Sequence, residues 1–428
     1  MESEHSRLRL VGQRFRLLAR RRITWALLAT LAVTLTAISI TLLGGNRPTS
    51  ADFDWQEDWA VEQGFTIEID AQGFQLPTAI AFVPEPGDAP KDPLYFVTEL
   101  QGKVKVVTND RSVFTFAEDF FELSLSRLVP VLDEEVGMAG ICLAPDQGQV
   151  FVIFSYHDAD NILRNNIVRF QSTPTTFSVS STSSVDFTEI FDGYQSVRSH
   201  QIGPGQVEDG PLYVSVADGG QADQSQLLDS ILGKILRMDL DGNPVPENLF
   251  YRDADIEDSR GYIWAYGLRN PFGLKLVDER VFVADNGPDV DRFLQIEKGE
   301  NYLWDGTNTS MGTNADFVIY PGRGVAHIDF YRAESEFFPS RFDDSFFITR
   351  TGNPVRKREG VPAIWVFPYD LSRGELSSVP RPVLRCRGGR NQVLSALGLG
   401  PAGLYFAPLL PNSTGSNDVY RITYNPSA

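Results

Sequence analysis

The sequence predicts an all-β fold, a six-bladed β-propeller, behind a single N-terminal transmembrane helix. Three observations lead there. An apolar or aromatic strand recurs six times, centred on Tyr95, Phe151, Tyr213, Phe282, Phe347 and Tyr405, at intervals of 56 to 69 residues. Turn signals such as Pro145-Asp146-Gln147-Gly148, Glu208-Asp209-Gly210, Asp343-Asp344 and Pro401-Ala402-Gly403 stand before these centres, and such clusters between apolar runs make hairpins. Each copy also keeps one internal order, a strand before the turn and another after the central strand, with room for a fourth. A four-stranded meander repeated six times is a propeller.

Along the chain, residues 1–22 form a basic tail: seven Arg against Glu2 and Glu4 give it a net charge of +5. Residues 23–43 are almost wholly apolar, and about 20 helical residues cross a bilayer core. Arg on the N-terminal side keeps the tail cytoplasmic and sends the body outside. A signal h-region usually runs about 7–15 residues, so an uncleaved anchor is the expectation. A cleaved signal peptide ending near Thr49-Ser50-Ala51 is the rival, and both export the body. Residues 44–60 have linker composition, and 61–428 are assigned to the propeller.

The first strands of the blades are predicted at Thr78–Phe82, Gly140–Ala144, His200–Val207, Phe272–Val277, His327–Tyr331 and Leu394–Gly400. The third strands are predicted at Gly102–Val107, Asn166–Phe170, Gly233–Asp239, Arg292–Ile296, Ala363–Tyr369 and Asp418–Tyr424. The sixth copy runs out of chain before its fourth strand. Phe65–Ile69, an extra strand ahead of the first copy, is expected to supply it and close the ring, which leaves no open sheet edge there.

The formal net charge is −18, so everything after the tail carries −23. A body that acidic repels a phosphate backbone, and nucleic-acid binding is excluded as a function class. Two cysteines, Cys142 and Cys386, are too few for a Cys-rich metal domain or a disulfide scaffold; whether they pair is open.

In a propeller the starts of the first strands and the ends of the second strands ring one mouth of the central channel. Those positions hold Glu135, Ser199-His200-Gln201, Arg269-Asn270, Glu99, Tyr156, Asp218-Gly219-Gly220, Asp285-Asn286-Gly287-Pro288-Asp289 and Arg350. The set suits a polar ligand better than a packed core. His200 is the candidate general base, because an imidazole titrates near neutral pH; His327 is its rival. The run from Asp285 to Asp291 is rich in oxygen donors and tight, as hard cations such as Ca²⁺ require, and a plain acidic turn is the alternative.

Several motifs carry a family resemblance. Gly267-Leu268-Arg269-Asn270-Pro271-Phe272-Gly273, Asp285-Asn286-Gly287-Pro288 and Gly299-Glu300-Asn301-Tyr302-Leu303-Trp304 occur in that order. They follow Gly137–Asp146, Ser199-His200-Gln201 and Gly233–Gly242. Together these resemble the soluble PQQ-dependent glucose/sorbosone dehydrogenases, over roughly Gly64 to Tyr424. The resemblance implies a sugar (aldose) dehydrogenase, a CH–OH oxidoreductase using pyrroloquinoline quinone (PQQ) and Ca²⁺, with a small sugar as substrate and a separate electron acceptor. It implies His200 as base and Arg269 as the group polarising the quinone. Asn270, Tyr302 and Trp304 would lie against the cofactor, and Glu135 and Gln201 on the substrate side. The main-chain oxygens of Gly287 and Pro288, with Asp291 in the same loop, would be the cation site.

The chain departs from the family pattern at Phe272, where some members carry Gln. It also lacks the late Arg pair: Arg387 and Arg390 stand a few positions early. The family's fifth-blade lysine has no clear counterpart among Arg350, Arg356, Lys357 and Arg358. Two other classes stay open: a non-catalytic propeller binding carbohydrate or protein through the same mouth, and a Ca²⁺-dependent lactonase-type hydrolase.

Overall fold

The second strand of each blade reads as an almost unbroken run of β-branched and aromatic residues, because neighbouring blades cover both of its faces. In the computed structural model, Pro93–Glu99, Leu212–Val216, Ser345–Arg350 and Gly403–Pro408 are buried at every position. The structure describes residues 59–120, 136–160, 162–177, 187–196, 202–207, 210–252, 259–322, 324–351, 361–387, 393–411 and 417–426, with the side chains of 192–196, 202 and 204 left out. All belong to one unit, Phe53–Ala428.

Six antiparallel sheets follow one another along the chain. The inner strands are Pro77–Phe82, Gly137–Ala144, Ile202–Val207, Pro271–Val277, Val325–Tyr331 and Leu394–Gly400, matching the predicted first strands to within a few residues. The fifth sheet has six strands and the others four. Phe65–Phe74 is the outer strand of the sixth blade, with Phe65 opposite Tyr424 and Ile69 opposite Tyr420. The predicted ring closure therefore holds, with a strand five residues longer than predicted. Trp59–Val61 is a finding against the linker boundary: it pairs with Arg381–Cys386 as an extra edge of the fifth blade, and the buried Trp59 ring anchors it.

The core lies between the blades. Phe282, Phe293, Phe346, Phe367 and Tyr369 fill the seam of blades four and five, and Phe96, Phe116, Phe154 and Phe170 that of blades one and two. At the closing seam, Asp70 on the last-added strand accepts the Tyr95 hydroxyl at 2.7 Å and Arg111 Nε at 2.8 Å, both from blade one. That carboxylate latches the first blade to the sixth. Cys142 and Cys386 are both buried, and burial pushes the Cys142 thiol above its usual range.

Among the described residues no helix is long and apolar enough to cross a membrane; the anchor predicted at 23–43 lies outside them.

Candidate functional site

The mouth is best defined over blades three and four. The segment 267–270 enters the fourth inner strand through Gly267 at φ +78°, where a Cβ would stand 2.2 Å from Asn301 Oδ1. Only glycine takes that backbone shape without strain in so tight a place. Arg269 is half-buried and donates Nη1 to the Asn286 carbonyl at 2.7 Å and its side-chain oxygen at 3.2 Å. Asn270 is buried; its amide donates to Asp285 Oδ1 at 2.8 Å, and its carbonyl accepts the Asn286 amide at 2.8 Å. The motif pairs 269–270 and 285–286 are thus joined side by side.

Blade three is tied to this segment by Asp218, which opens the motif Asp218-Gly219-Gly220 after the second strand. Its amide donates to the Arg269 carbonyl at 2.7 Å. Its buried carboxylate accepts the Gly220 amide at 2.9 Å and Trp304 Nε1 at 2.7 Å. Lys234 is wholly buried below the same loop, with Nζ donating to the carbonyls of Gln224, Ser225 and Leu232 at 3.0, 2.9 and 2.6 Å. Burial lowers its pKa to about 7. These acceptors hold the loop 218–233 down against the blade.

The 287–291 loop is tight. A Cβ on Gly287 would lie 1.8 Å from the Val290 carbonyl. Asp291 is buried and accepts the Gly287 amide through Oδ1 and the Gly324 amide through Oδ2, each at 3.0 Å. Asp285 is equally buried and paired with Arg292 Nε at 2.9 Å. These two carboxylates shape the loop from inside. Pro288 and Asp289 are exposed at the tip, and Asp289 accepts Asn308 Nδ2 at 3.0 Å. Among the described residues no group of three His, Cys, Asp or Glu could hold a metal. The loop therefore fits a hard cation only through main-chain carbonyls such as those of Gly287 and Pro288, with water or a ligand completing the shell.

Tyr302 and Trp304 are scaffold. Tyr302 packs in the seam of blades three and four, and its hydroxyl accepts the Glu297 amide at 2.8 Å and donates to the Gln295 carbonyl at 3.0 Å. Trp304 is buried with Val290 and Met311. Both rings are buried among these partners. Sequence reasoning saw these residues as motif members and missed their role, along with Arg292 and Lys234, because burial of a side chain is a tertiary fact.

Phe272 is half-buried beside His327, ring centroids 5.7 Å apart and edge-on. His327 lines the axial channel, a cavity of about 300 Å³ walled by all six inner strands. Its Nε2 has no hydrogen-bond partner, and burial lowers its pKa to about 4. A histidine with so low an affinity for protons is a poor base near neutral pH, which weighs against it as the rival. Arg350 ends the second strand of blade five, buried and stacked on Trp365 at 4.6 Å. Arg387 is exposed. Glu135, His200, Gln201, Arg356, Lys357, Arg358 and Arg390 lie outside the described residues.

A sequence model of the Glucose / Sorbosone dehydrogenase family matches residues 74–322. The fold is similar to the soluble aldose sugar dehydrogenase of Escherichia coli in its apo-form (TM-score 0.60, 18% identity, 84% of this chain and 100% of that one). It is also similar to the PQQ-bound aldose sugar dehydrogenase of Streptomyces coelicolor (TM-score 0.58, 21% identity, 85% and 100%). At these identities the likeness is one of fold. In sequence, the chain is 30% identical over 98 residues to the aldose sugar dehydrogenase YliI of E. coli K12 and 26% identical over 272 residues to the uncharacterized protein slr1608 of Synechocystis. The matches cover 22% and 58% of this chain, and 26% and 61% of those relatives' own lengths. With motif order, ring of six blades and family match in agreement, the chain belongs to the glucose/sorbosone dehydrogenase family.

Proposed function

We propose that the protein is a PQQ-dependent sugar dehydrogenase that oxidises an aldose or related sugar at a CH–OH carbon. The observation that carries this reading is the hydrogen-bonded pairing of Arg269-Asn270 with Asp285-Asn286-Gly287 at the channel mouth. The donor set fits the cofactor: a planar, anionic quinone suits a half-buried guanidinium beside buried amides, and the carbonyl-walled loop suits Ca²⁺. Bound there, PQQ would accept a hydride from the sugar C1, converting the aldose to its lactone.

The chain's own residues would do the rest. His200 would take the C1 hydroxyl proton through its neutral imidazole. Arg269, steadied by Asn286, would present positive charge where the quinone oxygen lies, and Asn270 would orient the ring edge. The Gly287 and Pro288 carbonyls would hold the cation, with Asp291 keeping that loop in shape. Glu135 and Gln201 would take sugar hydroxyls. Residues 23–43 would anchor the chain in a membrane with the propeller on the extracytoplasmic side, a reading supported by the apolar run and its Arg-rich flank. An electron acceptor there would reoxidise the cofactor.

The test is reconstitution of the purified protein with PQQ and Ca²⁺, followed by aldose-dependent dye reduction. His200→Ala is expected to cost on the order of 10²–10⁴ in kcat while quinone uptake persists. Failure to take up PQQ at micromolar concentration would sink the enzyme reading and favour a carbohydrate- or protein-binding propeller. Dye reduction that survives without His200 would remove that residue from the role.

A further inference from the structure

Arg292 opens the third strand of blade four, Asp291–Ile296, and its side chain is wholly buried. A guanidinium stays charged at any pH a protein survives and carries five donors in a fixed plane. Here they reach far beyond the strand. Nε donates to Asp285 Oδ2 at 2.9 Å. Nη1 donates to the carbonyls of Tyr302, Ser310 and Thr313 at 2.8, 3.3 and 3.1 Å, and Nη2 to that of Gly267 at 3.2 Å. Asp285 passes the restraint on: Oδ1 accepts the Asn270 amide at 2.8 Å, and Oδ2 lies 3.4 Å from the Arg269 amide.

One buried cation therefore gathers the segment that carries Arg269 and Asn270, the end of the second strand, and the loop 302–313. Replacing a buried ion pair by apolar side chains of similar volume is often harmless to stability. What such a replacement cannot do is hold three irregular segments in one register. The direction of the restraint is also informative, since two successive backbone amides of the mouth hang on the single carboxylate that Arg292 grips.

We propose that Arg292 is a positioning residue of the quinone seat, acting through Asp285 on the main chain of Arg269 and Asn270 and through carbonyls on the loop 302–313. The inference rests on the reading of the mouth as a PQQ site. None of the sequence motifs quoted above contains Arg292, and its role is visible only in the folded chain.

The test uses the full-length protein, Arg292→Met, and the double variant Arg292→Met with Asp285→Asn, which strands no buried charge. Arg292→Lys keeps the charge without the fork, and Ile364→Val in blade five serves as a control for general loosening. The first measurement is amide hydrogen exchange without cofactor. Exchange over 266–272 is expected to rise at least tenfold in the double variant, with 345–350 unchanged and Ile364→Val leaving 266–272 protected. The second is PQQ affinity from quinone absorbance in the presence of Ca²⁺, with kcat and KM for an aldose. The PQQ Kd is expected to rise tenfold or more in the Met variants and by less in Arg292→Lys, with little change in KM.

Unchanged exchange over 266–272 in the double variant overturns the proposal, and so does raised exchange with wild-type PQQ affinity. If the wild-type protein takes up no PQQ, the quinone reading fails and the positioning of a quinone seat fails with it. The exchange measurement separates that outcome from a missing restraint.

Discussion

Trp304 donates its indole Nε1 to Asp218 Oδ2 at 2.7 Å, and this buried bond joins the loop of the third blade to that of the fourth. A hydrogen bond to a charged acceptor contributes more than a neutral one, about 1.5–3 kcal/mol. Trp304→Phe keeps most of the ring and removes the donor, so it is expected to lower the unfolding free energy by about 2 kcal/mol. Asp218→Ala should cost more, because it orphans both the indole and the Gly220 amide. Urea denaturation of the two variants checks the order. Equal stability of Trp304→Phe and wild type would show that the bond contributes nothing.

The closing seam gives a second expectation. Asp70 is nearly inaccessible and faces the Tyr95 hydroxyl and Arg111. Removing one partner of a buried pair costs about 3–5 kcal/mol; the Arg111 side chain is 31% exposed, so solvent screening reduces this to about 2 kcal/mol. Asp70→Ala should show that loss in thermal or urea unfolding. Deleting residues 1–75 removes the outer strand of blade six entirely and should abolish a cooperative transition.

His327 predicts an acid window. Burial lowers its pKa from 6.5 to about 4, with Asp329 the nearby charge opposing the shift. Below 6.5 the unfolded chain takes up a proton that the folded chain refuses, so stability falls as pH drops from about 6.5 to about 4 and this contribution falls no further below that. The full loss is on the order of 3 kcal/mol. His327→Gln should flatten the slope in that window; an unchanged slope counts against the assignment.

Lys234 is held by three carbonyls with no water between them. Lys234→Met fits the volume but leaves those acceptors without their donor, and about 3 kcal/mol of stability should go with it. Loss of structure should be greatest in 218–233, measurable by proteolysis.

Gly287 tests the cation loop. A Cβ there would lie 1.8 Å from the Val290 carbonyl, so Gly287→Ala must displace the loop. A calorimetric titration should show Ca²⁺ affinity falling at least tenfold while the propeller still unfolds cooperatively. Unaltered affinity would place the cation elsewhere.

Much of this architecture was legible in the chain. Tyr95, Phe151, Tyr213, Phe282, Phe347 and Tyr405 each lie in a second strand because a segment covered on both faces must be apolar throughout. The sequence placed 269–270 and 285–286 at the same mouth, as a strand start and a second-strand end; their direct hydrogen bonding came from the folded chain. Trp59–Val61 was not, because three residues of mixed character carry no period and are recruited by an edge formed from the other end of the chain.

The sequence by itself determined the ring of six blades, the closing strand and the residue types at the mouth, because periodic burial and turn chemistry are local properties written along the chain. Only the tertiary structure decided that Asp285 and Asp291 face inward, that Trp304 and Tyr302 are scaffold, and that Arg292 and Lys234 sit in nests of carbonyls. Those roles depend on which distant backbone groups lose water on folding and need a partner, and no spacing in the sequence records that.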